Sequence, residues 1–179
     1  NRVYKLNPGK YANDADVWDV NKLAADNGWK VTEDKSSLDE VSGDLKANGV
    51  YKIADYATST TQYDPIPNGS STDGFVSWTN FKYHGTAYGT VTSSDASIII
   101  DAAGDSIVSF ITSTYSNGTV TVTDEAGNKI VDGYSTKVAT DKTAFAFVYT
   151  GAATKLTLAF TGTTYIGDLT VTKADGERP

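Results

Sequence analysis

The sequence predicts an all-β fold: a two-sheet antiparallel β-sandwich of jelly-roll topology, with at most one short helix in its N-terminal third. Three observations lead there. Thr is abundant beside Val, Ile, Tyr and Phe, the residue types that suit a pleated, half-buried surface. Apolar and polar residues alternate with a period of two through the second half. Asn-Gly and other Gly-containing turn signals separate the apolar runs at intervals of about 8–12 residues, the spacing of sandwiches and barrels.

Each element follows from that pattern. Residues 16–20 (DVWDV) alternate as a strand. Residues 36–49 carry a capping box, Ser37 with Glu40, and place Leu38, Val41 and Leu45 on one helical face before Gly49, a C-terminal stop. A helix is therefore confined to residues 21–49. Residues 57–74 are rich in Ser, Thr, Pro and Gly and read as a long loop. Strands follow at 97–101, 106–113 and 119–123, where Val120 and Val122 face inward. Residues 124–128 (DEAGN) turn the chain into a hairpin with 129–131. Further strands cover 144–149, 155–160, 165–166 and 168–173. The core is expected to draw on Val120, Val122, Phe145, Phe147, Leu156, Leu158, Phe160, Ile166 and Val171. Residues 1–173 form one module with an insertion and long loop at 21–74, and 174–179 begin a linker. The sequons at Asn68 and Asn117 read as turns.

Composition excludes several functions. The net charge is -7 and the only arginines, Arg2 and Arg178, lie at the ends, so no basic face for nucleic acid is expected. No apolar run approaches 18 residues, so no membrane-spanning helix is expected. With Cys 0, thiolate chemistry, zinc fingers and iron–sulfur clusters are absent. A single His, His84, allows no His pair for a metal. With Met 0, the chain is expected to be a piece of a larger protein. No G-x-S-x-G elbow or phosphate-binding Gly loop occurs, and no carboxylate pair sits in a context suggesting burial. Catalysis by this chain alone is therefore not expected.

Binding fits better. Sugars present flat C–H faces ringed by hydroxyls, and aromatic rings with nearby polar groups recognise both. Tyr83, Tyr88, Tyr115 and Tyr165 stand beside Gly, Ser or Thr rather than inside apolar runs. Lys82 and His84 supply donors next to them, and Asn117 lies by Tyr115. The alternatives are that His84 is buried and orders the 82–89 turn, or that the site lies around Tyr63 in the 57–74 loop. Trp18, Trp29 and Trp78 read as core more than as platforms. Acidic charge repels a polyuronate at range, but screening beyond about 8–10 Å leaves Lys82 free to pair with a carboxylate.

The block Phe81-Lys82-Tyr83-His84-Gly85 with Tyr88-Gly89, residues 115–124 (YSNGTVTVTD), Gly127-Asn128 and the closing 163–166 and 169–171 stretches carry a resemblance. They resemble the non-catalytic jelly-roll carbohydrate-binding modules of secreted bacterial pectate lyases, pectin esterases and related enzymes. The resemblance covers about residues 75–173, and 17–20 is similar to the first strand of such modules. It implies an accessory module, monomeric, covalently linked to a catalytic domain and targeted to plant cell-wall polysaccharide, with pectin (homogalacturonan) favoured. It implies a secreted location, or attachment to the cell surface through the parent protein. It also implies a structural Ca²⁺ held by Asp168 with Asp16 or Asp19, since oxygen-only ligands suit that ion. A cell-surface adhesin or spacer without glycan affinity is the alternative.

Overall fold

The computed structural model describes residues 3–6, 30–33, 47–85, 89–112, 118–135 and 143–173. Thirteen strands are described, together with one turn of 3₁₀ helix at Ile53–Tyr56. Strands β1 (Val3–Leu6) and β2 (Lys30–Glu33) make a separate parallel pair. The other eleven form an antiparallel structure, as the alternation predicts.

These strands are β3 (Gly49–Tyr51), β4 (Pro65–Ile66), β5 (Gly69–Ser70), β6 (Val76–His84), β7 (Gly89–Ala102), β8 (Ser106–Thr112), β9 (Thr119–Thr123), β10 (Lys129–Ser135), β11 (Thr143–Tyr149), β12 (Thr154–Thr161) and β13 (Tyr165–Lys173). One sheet runs β10-β9-β12-β7-β6, with β4 and β5 on the far edge of β6. The other runs β11-β8-β13-β3. From β7 to β13 most successive strands cross between two four-stranded runs, β7-β12-β9-β10 and β3-β13-β8-β11, as in a jelly roll.

Strand β13 belongs to both sheets. Its first residues pair with β7, and from Gly167 onward it pairs with β8. The change of sheet coincides with a register irregularity and with Asp168 in left-handed backbone (φ 50°). Strands that change sheet by such irregularities make the corners of sandwiches.

The two inner faces meet through aromatic contacts. Phe110 of β8 lies 6.1 Å from Phe160 of β12, which also meets Phe81 of β6 edge-on. All nine expected core residues are buried, joined by Trp78, Ile98, Ile100, Val108 and Phe110. Strand β8 is buried along its whole length, which is why it reads as a continuous apolar run rather than an alternation.

Three expectations need correction. The 57–74 segment is not all loop, because β4 and β5 within it pair with β6. Gly49, expected as a helix stop, is the first residue of β3, at φ 136°. The one helical turn described falls after residue 49, not within 21–49. The 16–20 strand, the helix expected up to residue 46, Trp18, Trp29 and the 174–179 linker lie outside the described residues.

Candidate functional site

The site residues are set by strand register. Opposed residues in an antiparallel ladder share a face. Pro65 of β4 opposes Lys82 of β6, Lys82 opposes Val91 of β7, and Val91 opposes Tyr165 of β13. These four form a row across the outer face of the sheet. His84, two residues beyond Lys82, joins that face, while Tyr83 packs against the core instead. Val91 is 3% exposed yet stands outside the main core cluster, so it is covered from the outer side.

This placement depends on a change of phase in β6. Val76 and Trp78 are core residues, and strict alternation would send Asn80 and Lys82 inward too. Instead Asn80 takes left-handed backbone (φ 66°) at a register irregularity between Thr79 and Phe81. Phe81 then follows Trp78 into the core after three residues rather than two. Asn tolerates this backbone better than most residues. It is held by Nδ2 donating to the Asp95 carbonyl (3.2 Å) and by its N–H donating to Asn68 Oδ1 (2.9 Å).

Above the row sits Tyr63. It is 54% exposed and has left-handed backbone (φ 69°). A bulky residue there is uncommon, and such strain gathers at binding and catalytic sites. Its N–H donates to the Tyr83 carbonyl and the Tyr83 N–H donates to the Asp64 carbonyl, both at 2.8 Å. Gln62 Oε1 accepts the Gly85 N–H at 2.7 Å. The segment is thereby fastened along β6.

His84 lies between two tyrosine rings, edge-on to Tyr165 at 4.8 Å and to Tyr63 at 5.7 Å. It is 8% exposed, and burial pushes its pKa below the ordinary value. The imidazole is therefore neutral at pH 7 and serves as a support for the rings. Lys82 and Tyr165 are half-buried beside it. Of the expected sugar-binding residues, the structure brings Lys82, His84 and Tyr165 together and turns Tyr83 away. Tyr88, Tyr115 and Asn117 lie outside the described residues. Tyr63, named in sequence only as a fallback, is the most exposed ring of the cluster.

The implied calcium site is represented by Asp168 alone, because Asp16 and Asp19 lie outside the described residues. Its carboxylate faces the Lys52 ammonium at 3.9 Å. Among the described residues no three His, Asp or Glu side chains gather as a metal site. One carboxylate beside one ammonium does not make a calcium site without ligands from the N-terminal segment.

Away from this cluster a concavity of about 720 Å³ opens where β3 and the 3₁₀ turn meet the loop after β5. Tyr56, Trp78, Asp55, Thr72 and Asp73 line it. Nothing in the sequence pattern marks this groove, since its walls come from two separate segments, residues 50–56 and 71–78.

No protein-family model matches the chain, and no curated protein matches it by sequence. Among solved structures, it is similar to the C-terminal CBM6 of LamC, a marine laminarinase from Zobellia galactanivorans. That match has a TM-score of 0.33 and 11% identity, and covers 66% of this chain and 96% of the other. It is also similar to the CBM51-2 and INT domains of Clostridium perfringens ZmpB, at a TM-score of 0.37 and 14% identity. That match covers 82% of this chain and 33% of the other, so this chain spans about a third of that one.

Proposed function

We propose that this chain is a non-catalytic carbohydrate-binding module whose site is the outer-face cluster of Tyr63, Lys82, His84 and Tyr165. The observation that carries the reading is the Tyr63 ring. It is exposed, held in a strained backbone by hydrogen bonds to β6, and braced edge-on by a buried His. A rigid exposed ring offers stacking area at low entropic cost. The non-catalytic reading is supported by the burial of the chain's one histidine between tyrosines.

Homogalacturonan is the favoured ligand, because Lys82 shares the row of Tyr165 across the sheet and a lysine ammonium pairs with a uronate carboxylate. The role of an accessory module in a secreted plant-polysaccharide enzyme belongs to the same proposal, since tethering raises an enzyme's effective concentration on its polymer. Calcium binding is proposed only through Asp16 or Asp19 joining Asp168. A melting temperature that rises with calcium and falls with chelator, and that loses this response in Asp168→Asn, tests it.

The direct test of function is titration with homogalacturonan, xylan, mannan and β-glucan oligosaccharides. Tyr63→Ala and Lys82→Ala should each weaken oligogalacturonate binding at least about fivefold, roughly 1 kcal/mol. Binding unaffected by both changes, with the fold intact, places the site elsewhere.

A further inference from the structure

The Tyr56 groove stands apart from the Tyr63 cluster and is unused by it. Trp78 and His84 are six residues apart along β6, or about 20 Å at strand rise. Tyr56 is 37% exposed, and its ring is fixed at both ends. Its hydroxyl accepts the Thr72 N–H at 2.9 Å and shares a hydrogen bond with Thr72 Oγ1 at 3.0 Å. The body of the ring rests on Trp78, with centroids 4.8 Å apart and planes at 50°. Trp78 is itself locked, buried and donating from Nε1 to the Pro67 carbonyl at 3.0 Å. An aromatic platform is thus pre-organised in the groove wall.

The charges lining the groove favour one class of ligand. Among the described residues, Asp55 and Asp73 line it against a single cation, Lys52, which already has Asp168 within 3.9 Å. The balance is negative, so a uronate, phosphate or sulfate would be repelled. Carboxylates accept hydrogen bonds and cannot donate them. They suit the hydroxyls of a neutral sugar, whose C–H face matches an aromatic ring.

We propose that the Tyr56 groove is a second saccharide subsite, selective for a neutral sugar unit, with Tyr56 as the stacking platform and Asp55 and Thr72 at its polar rim. It rests on its own geometry and holds or fails independently of the Tyr63 cluster. Two subsites of opposite charge preference would let one chain grip a polymer that mixes neutral and acidic units, gaining avidity without further contacts.

The experiment is a backbone-amide NMR titration of the intact chain with xylohexaose, cellohexaose and mannohexaose, and separately with hexagalacturonate. At least one neutral hexasaccharide should shift the amides of residues 55, 56, 72 and 73, and hexagalacturonate should leave them unmoved. Tyr56→Ala should weaken neutral binding at least about fivefold and leave hexagalacturonate binding within about twofold. Asp55→Ala removes an exposed side chain and should weaken neutral binding about threefold with an unchanged melting temperature. Tyr63→Ala should leave neutral binding at the groove within about twofold, which separates failure here from failure of the Tyr63 site. The proposal is overturned if no neutral hexasaccharide moves those amides, if hexagalacturonate moves them as much, or if both groove variants bind neutral sugar as the parent does.

Discussion

Asp73, in the groove wall, accepts three hydrogen bonds. Tyr51 donates from its hydroxyl at 2.9 Å, Ser71 at 2.6 Å and the Phe75 N–H at 2.9 Å. Burial alone would raise this carboxyl, but those donors outweigh it and hold its pKa below the ordinary value. Asp73→Ala should cost about 1–3 kcal/mol in denaturant melts, since it also takes away the acceptor of the Tyr51 O–H, leaving that hydroxyl only the Asn48 N–H. The depressed pKa means that the unfolded chain takes up this proton first as pH falls. The contribution is present above about pH 4, the unfolded value, and is lost as pH drops through the lower folded value. His84 adds an earlier loss by the same logic. Its folded pKa lies below the ordinary 6.5, so at pH 7 both states are mostly neutral and its effect is small. Below about pH 6.5 the unfolded state binds the proton and the folded state resists, so stability falls on acidification. Melting temperatures measured from about pH 7 to about pH 5 should decline more in the parent than in His84→Phe.

At the scale of elements, two irregularities decide where the side chains go. Asn80 changes the phase of β6, and the Gly167-Asp168 irregularity carries β13 from one sheet to the other. Asn80→Val should cost about 1–3 kcal/mol, because a β-branched residue resists left-handed backbone, whereas Asn80→Gly should cost clearly less. Equilibrium denaturation of the two variants checks the order. These irregularities also mark the limit of what the sequence conveys. The regular strands are legible because Val120, Val122, Leu156 and Leu158 alternate cleanly and all four are fully buried. A strand read by period two keeps its phase across Asn80, and so misplaces Tyr83 even where Lys82 and His84 are rightly placed together. Strands β4 and β5 have two residues each, too few for any periodicity. Tyr63, Tyr56 and Asp73 become neighbours of β6 and the groove through contacts between distant segments, which no local pattern encodes. In the core, Phe110→Ala should cost about 3–5 kcal/mol, since that ring meets Phe145 and Phe160 from the two sheets.

At the scale of the molecule, the net charge of -7 would oppose a polyuronate, whereas Lys82 in the proposed site would attract it locally. The two effects respond oppositely to salt. Long-range repulsion is screened once the Debye length falls to about 10 Å, near 0.1 M ionic strength. Added salt therefore removes a penalty. A contact between the Lys82 ammonium and a uronate carboxylate weakens as salt rises, as partly exposed ion pairs do. In the parent chain the proposed contact would sit at short range and dominate, so affinity for hexagalacturonate should fall between about 0.05 and 0.5 M salt. In Lys82→Ala only the repulsion is left, so its weaker affinity should stay level or rise over the same range. Neutral hexasaccharides should bind both proteins with no salt dependence beyond about twofold, because no ion pair forms and no charge is repelled. Isothermal titration across a salt series reads all of these slopes. Parallel curves for the parent and Lys82→Ala would mean that the carboxylate is held by some group other than Lys82, and would move the uronate site off the outer-face row.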